Sequence, residues 1–324
     1  MRAAYYEAQG SARDVMRLGE IASPKAGAGE VRVKLATSGV NPSDVKSRQG
    51  GRPMASPQVI PQSDGAGVID EVGDGVAQSR LGERVWIWNG QWKRPFGTAA
   101  EYIALPAAQA VKLPDKISFE EGACLGIPAM TAFHAVELAE PVKGATLLVS
   151  GGAGAVSQYV IQFAKMRGAT VIATVSSADK AKVATEAGAD HCIDYKTEEV
   201  GARVMELTGK RGVDAVIEMN ITANAKLLPG VLRPKGSVII YGIAGPEAAI
   251  PAPFCLVNSI KLQFFLVYEL DAAERARAIA GITSALDTGR LVNRVAQPTY
   301  ALDDIAAAHE AVEKGTIGNV VVRI

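Results

Sequence analysis

The segment Ser150-Gly151-Gly152-Ala153-Gly154-Ala155-Val156-Ser157 constrains this chain more than any other stretch. It follows a short apolar run, Thr146-Leu147-Leu148-Val149, that does not alternate, as expected of a strand covered on both faces. A helical pattern over 156–167 comes next. A strand, a glycine-rich turn and a helix, in that order, form the context in which a GxG motif receives a pyrophosphate. Gly152 and Gly154 take the first two glycine places. A side chain there would hold the phosphates off the amides of Ala155 and Val156 at the helix N-terminus. The third place holds Ser157, small enough for close helix–strand packing. A glycine-rich turn without a ligand is the competing reading.

The same rhythm continues. Strands are predicted over 146–150, 170–175, 191–193, 214–218 and 237–241, and helices over 156–167, 178–187, 197–208 and 223–232. Strands alternating with helices in this way imply βαβ units and a parallel sheet. The residues before this region behave differently. Glu30-Val31-Arg32-Val33-Lys34-Leu35 alternates cleanly, so one face is buried and the other wet. Turn residues cluster at 27–29, 41–43, 50–53 and 64–67. Between them lies 117–139, a helical pattern broken by Gly126 and Pro128. The fold class is therefore α/β, with a doubly wound parallel-sheet domain inserted into a β-rich domain. The expected boundaries are 1–124, completed by 262–324, for the β-rich domain and 125–261 for the parallel sheet.

Which dinucleotide the turn suits depends on the end of the second strand. NAD-binding chains place an acidic residue there for the ribose 2′-hydroxyl. Here Ser176 and Ser177 stand in that place, with Lys180 one helical turn on. Hydroxyls and an ammonium suit a 2′-phosphate, which a carboxylate would repel, so NADPH is favoured over NADH. Asp179 reaching a ribose, with Lys180 merely solvated, is the alternative.

Lys plus Arg and Asp plus Glu both number 34 in this chain of 324 residues, so its net charge is zero. No basic field argues for nucleic acid or an anionic membrane. The N-terminus lacks the apolar stretch of a signal peptide, and no apolar run reaches the length of a spanning helix. The three cysteines are far apart, which fits a reducing cytoplasm.

The chain resembles the zeta-crystallin-like quinone oxidoreductases, the zinc-free branch of the medium-chain dehydrogenase/reductase superfamily. The likeness runs through Ser38-Gly39-Val40-Asn41-Pro42-Ser43-Asp44, Asp64-Gly65-Ala66-Gly67-Val68, Gly82-Glu83-Arg84-Val85, Ala100-Glu101-Tyr102, Gly126-Ile127-Pro128-Ala129-Met130-Thr131-Ala132 and Ile217-Glu218-Met219. It implies a GroES-like catalytic domain and a Rossmann domain. It places Asn41, Asp44 and Thr131 near nicotinamide and substrate, although Asn41 reads equally as a cap of the loop after the Leu35 strand and Asp44 reads more readily as the cap of a following helix. It places Lys180 and Tyr195, with Ser176 and Ser177, at the adenosine 2′-phosphate. Gly242, Phe265 and Leu266 fall on the nicotinamide side, and Asn319 takes a cofactor-contact position where relatives carry Lys. The resemblance also implies a homodimer joined through the apolar segment 261–268, whose exposed edge would otherwise be sticky.

Zinc members of this superfamily carry Cys where this chain has Asn41, and Gly-His-Glu where it has Gln62-Ser63-Asp64. No metal is expected, since His134, His191 and His309 show no ligand spacing. A quinone accepts hydride without a Lewis acid, because the charge delocalises. The expected activity is NADPH-dependent reduction of a quinone. The alternatives are reduction of an enal or enone, or a non-catalytic NADPH-binding or RNA-binding protein of the zeta-crystallin kind. The loop 47–58 departs from the family pattern, with Arg48 and Arg52 in place of its tyrosine. Of the nearby tryptophans, Trp86 and Trp88 are expected in the core.

Overall fold

The computed structural model describes residues 1–324, and its contacts divide the chain into two units, Met1–Ile127 with Thr283–Ile324, and Pro128–Ile282. In the first unit the strands are β1 (Arg2–Tyr5), β2 (Arg17–Glu20), β3 (Glu30–Val40), β4 (Asp64–Val72), β5 (Arg84–Ile87), β6 (Tyr102–Pro106) and β7 (Ala110–Lys112). β3 is the spine and pairs antiparallel with both β4 and β6. The alternation read at 30–35 has its physical outcome here. Val31, Val33 and Leu35 point inward against Val85, Ile87, Ile103 and Leu105, while Lys34 faces solvent. Trp86 and Trp88 are buried as expected.

The second unit holds β8 (Thr146–Val149), β9 (Thr170–Val175), β10 (His191–Asp194), β11 (Val213–Glu218), β12 (Leu232–Ile240) and β13 (Lys261–Phe264). They form one sheet in the order β10-β9-β8-β11-β12-β13, with every pair parallel. This is the doubly wound order in which the strand sequence reverses beside the first strand. The helix Ala155–Met166 buries Tyr159, Val160, Ile161 and Phe163.

The chain then returns to the first unit. β14 (Tyr300–Ala301) lies parallel to β15 (Val320–Arg323), and β15 closes antiparallel onto β3. Between them the helix Ile305–Glu313 meets the helix Pro42–Arg48. Arg48, fully buried, donates to the Gly10 carbonyl and pairs with Glu313.

Some expectations shift. The helix foreseen over 223–232 is broken into Ile221–Asn224, the 3-10 turn Ala225–Leu227 and Leu228–Val231. Pro229 has no N–H to continue an earlier helix and fits only a first turn. Only Lys261–Phe264 of the segment 261–268 is strand, and Val267–Glu269 closes as a 3-10 turn. Packing places 262–282 with the parallel sheet, because β13 hydrogen-bonds to β12. The domain boundary expected after residue 261 therefore falls after Ile282. The pattern over 117–139 splits where Gly126 and Pro128 stand, into Phe119–Gly122, a π-turn over Leu125–Ala129 and Met130–Leu138. No helix is long and apolar enough to cross a membrane.

Trp86 is the largest fully buried side chain, and its loss leaves a cavity that the β3–β5 sheet cannot refill. Trp86→Ala is expected to lower unfolding free energy by about 3–5 kcal/mol, measured by urea denaturation. A change below about 1 kcal/mol would contradict this packing.

Candidate active site

The glycine-rich turn leaves β8 and enters the helix Ala155–Met166 through Gly154, its N-cap, which has no side chain to cap the first amides. The turn is pinned from β9. Gly151 N–H donates to Thr174 Oγ1 at 3.0 Å and Gly152 N–H to the Thr174 carbonyl at 2.8 Å. A Cβ on Gly152 would stand 2.7 Å from the Cβ of Ala173, so the turn lies against the sheet only because that carbon is absent. Ser157 is buried, and its hydroxyl donates to the Ser150 carbonyl at 2.9 Å. It thus fills the third glycine's place and bonds helix to strand. Ala155 and Val156 supply first-turn amides that have no helical carbonyl to bond.

Glu218, at the end of β11, was not foreseen in a role. Its buried carboxylate accepts from Ser150 Oγ at 2.5 Å, from Asn220 N–H at 2.5 Å and from Asn224 Nδ2 at 2.9 Å. It therefore ties the start of the glycine turn to the loop after the next strand. The only sequence sign was its place in Ile217-Glu218-Met219.

At the end of β9, Lys180 Nζ donates to Ser176 Oγ at 3.0 Å. Ser177 caps the helix Ala178–Glu186 by accepting from the Lys180 amide at 3.3 Å. Tyr195 is exposed, and its N–H donates to the Val175 carbonyl at 3.1 Å, which sets it beside Ser176. These four residues come together at the ends of neighbouring strands.

Beyond β12, Gly242 approaches Met219 so closely that a Cβ would lie 1.9 Å from the Met219 carbonyl oxygen. Phe265 stacks edge-on against His134 at 4.9 Å and tilts toward Tyr241 at 6.5 Å. Leu266 is exposed beside it. Thr131 is buried one turn before His134 on the helix Met130–Leu138.

The first unit holds Asn41, Asp44 and Asn319. Asn41 caps the helix Pro42–Arg48, and its backbone N–H donates to Asp44 Oδ2 at 2.7 Å. Asp44 thus takes part in capping, as expected, but from the third position of the helix, with Asn41 as the cap itself. Asn41 Nδ2 donates to Asp64 Oδ2 at 2.8 Å, and Asp64 also accepts the Ile127 N–H, at 2.8 and 2.9 Å to its two oxygens. An asparagine amide has two hydrogens, and one is committed to Asp64. Burial pushes the Asp44 carboxyl up to about 7, against the pull of the Asn41 amide and of Arg52. Burial, with Asp44 nearby, also holds Asp64 well above the usual carboxylate range. Asn319 is buried, and its Nδ2 donates to the Arg294 carbonyl at 3.1 Å.

Residues 27–115 match the family described as the alcohol dehydrogenase GroES-like domain, and residues 155–283 the zinc-binding dehydrogenase family. The synaptic vesicle membrane protein VAT-1 homolog of Rattus norvegicus is 30% identical over 86% of this chain and 69% of its own. A 2-haloacrylate reductase from a Burkholderia species is 29% identical over 93% of this chain and 92% of its own. The quinone oxidoreductase of Sus scrofa is 27% identical over 95% and 93%. The chain is a medium-chain dehydrogenase/reductase. Two solved structures cover this chain from end to end: an NAD-dependent alcohol dehydrogenase, at TM-score 0.91 and 28% identity, and a mycobacterial protein complexed with NADPH, at 0.89 and 29%.

Zinc is named in one of these families, but the residues of this chain do not fit the ion. Asn41 offers an amide, and Asp64 is engaged with Asn41 and Ile127. His309 is buried with its Nε2 3.4 Å from Gln62 Nε2, and burial lowers its pKa to about 3. No three His, Cys, Asp or Glu side chains converge as a metal site.

The first unit has a cavity of about 340 Å³, bordered by Tyr6, Ser47, Arg52, Met54, Trp92 and Lys93 among others. Arg52, from the divergent loop, and Trp92 line it. Arg48 does not, because it is committed to Glu313.

Asp44 has a pH signature. Its folded pKa of about 7 lies above an unfolded value near 4, so the native state binds the extra proton between them. Its contribution to stability is complete below about pH 4 and is lost as pH rises through 7, a change of at most about 4 kcal/mol. Asp44→Asn keeps a capping side chain and should flatten this slope in urea titrations at pH 5 and pH 8. An identical slope in the variant would mean that Asp44 titrates normally.

Proposed function

We propose that this reductase uses NADPH, without a metal, to deliver a hydride to a small conjugated carbonyl acceptor, with a quinone as the principal substrate. The observation that carries the reading is the joining of Ser176, Lys180 and Tyr195 at the end of β9, beside a glycine turn held close to the sheet. An ammonium and hydroxyls favour a 2′-phosphate there. The quinone oxidoreductase name of the porcine relative supports the acceptor, and the NADPH in the mycobacterial structure supports the cofactor. The 2-haloacrylate reductase relative favours a second reading, reduction of activated alkenes at the same site.

NADPH, when bound, supplies the hydride. The amides of Ala155 and Val156, reached past Gly152 and Gly154, receive the pyrophosphate. Ser176, Ser177, Lys180 and Tyr195 hold the 2′-phosphate. Gly242, Phe265, Leu266 and Thr131 border the nicotinamide, and Asn319 is a further cofactor contact. Asn41 donates to the acceptor oxygen as charge develops on it, which is worth more in a water-poor site than in solution. Asp44 fixes the Asn41 backbone, and the proton comes from water. A conjugated acceptor spreads the charge by itself, so no Lewis acid is required.

We also infer a homodimer through the β13 edge, which carries Phe264 at 58% exposure and follows a helix that exposes Leu256 and Val257, both at 82%. An apolar edge strand with unpaired backbone groups favours a partner.

Purified protein should oxidise NADPH in the presence of 1,4-benzoquinone. Lys180→Ala should raise the NADPH Kd about tenfold, the loss of roughly one charge-assisted contact, and leave NADH binding unchanged in a fluorescence titration. No NADPH binding at all would refute the assignment. On sedimentation, Phe264→Lys should shift the protein toward monomer. A wild type that is monomeric at micromolar concentration would remove the dimer.

A further inference from the structure

Ser157 stands where the fingerprint has its third glycine, and a residue from another strand places its hydroxyl. Ser157 Oγ lies 3.3 Å from the hydroxyl of Tyr241, the first residue after β12. A hydroxyl carries one hydrogen, and Ser157 gives its own to the Ser150 carbonyl. Tyr241 is therefore the donor. Burial, outweighing the pull of the Ser157 hydroxyl, pushes the phenol above its ordinary range, so the proton stays in place. The Tyr241 N–H in turn donates to the Glu218 carbonyl at 3.1 Å. Glu218 completes the circuit, because its carboxylate accepts from Ser150 Oγ. Four residues thus close a ring of hydrogen bonds across the ends of β8, β11 and β12 and the first turn of the helix Ala155–Met166. Ser150, from which the glycine turn departs, is held at every polar group. Its N–H donates to the Ile217 carbonyl at 3.1 Å, its carbonyl accepts from Ser157, and its hydroxyl donates to Glu218.

We propose that Tyr241 is a positioning residue for the dinucleotide, bracing Ser157 so that the glycine turn is already set when the pyrophosphate arrives. This rests on the reading that NADPH binds at that turn, and not on which acceptor takes the hydride. Glycine or alanine at the third place packs helix against strand and needs no partner. Serine brings a buried oxygen that must be bonded, and its bond to Ser150 closes the turn across seven residues. Without the phenol, the Ser157 hydroxyl can instead bond back to a carbonyl of its own helical turn, and that closure opens. A turn that must be reordered on binding loses affinity. The Tyr241 ring also leans toward Phe265 at 6.5 Å, and the Phe265 N–H donates to the Ile240 carbonyl at 3.1 Å. One side chain therefore braces the phosphate turn and supports the wall assigned to the nicotinamide.

Two measurements test this. The first titrates NADPH against the protein by fluorescence. Tyr241→Phe removes one oxygen and keeps the ring beside Phe265, and it should raise the NADPH Kd about fivefold, the loss of one hydrogen bond. Ser157→Ala should weaken binding by a similar factor. Adding Tyr241→Phe to Ser157→Ala should change the Kd by less than about twofold, because the phenol then has no hydroxyl to brace. An unchanged Kd in Tyr241→Phe, or the same loss in both backgrounds, would overturn the brace. The second measurement uses no cofactor. Deuterium uptake is followed in peptides spanning 150–158, where the amides of Gly151, Gly152 and Gln158 are hydrogen-bonded. Uptake there should be about tenfold faster in Tyr241→Phe than in the wild type, and unchanged in peptides from β3. Equal uptake over 150–158 would also overturn the proposal. Faster uptake in the variant, with no NADPH binding by the wild type, would sink the cofactor reading instead and leave the brace standing.

Discussion

A carboxylate with no access to water organises the first unit. Asp64 begins β4, accepts the Asn41 amide and takes the Ile127 N–H, so it joins the end of β3, the start of β4 and the π-turn after Leu125. Its backbone carbonyl accepts from Thr98 Oγ1 at 2.6 Å, and Thr98 touches Ser38, which reaches Gln62. A buried polar group without partners is costly, and each member of this chain supplies a partner to the next. Asn41 is therefore set before any ligand arrives. The same burial that fixes it lifts the pKa of both Asp44 and Asp64.

The second unit solves a different problem, how to bring backbone amides to a ligand. Gly152 meets the sheet where a methyl group would collide with Ala173. Thr174 bonds the turn from one neighbouring strand, and Glu218 bonds it from the other through Ser150. A turn anchored on both sides needs little reordering on binding, which lowers the entropic cost of binding.

Much of this was legible in the residues alone. The parallel sheet followed from repeated apolar runs separated by helical patterns, and the β3 face from strict alternation. A capping role for Asp44 was read from its residue type, but it stands inside the helix as the partner of Asn41 and not ahead of it. Other features were not legible. Arg48 and Arg52 look equivalent in sequence, four residues apart, yet one is sealed against Glu313 and the other borders a cavity. That difference is made by the helix Ile305–Glu313, more than 250 residues away along the chain. The motif around Glu218 marked its place but not its role, because its bond to Ser150 spans 68 residues of chain. The helix over 223–232 failed for a local reason, the missing N–H of Pro229.

Local pattern by itself determined the element types, the phosphate turn and the basic residue at the end of β9. Each of these depends on neighbours within a few positions, through periodicity, steric permission or charge. Tertiary structure alone decided which polar side chains are spent on the fold and which are left facing a cavity. It also decided that β13 extends the parallel sheet. Hydrogen-bond partners and burial are set by segments far apart in sequence, and no window along the chain contains them.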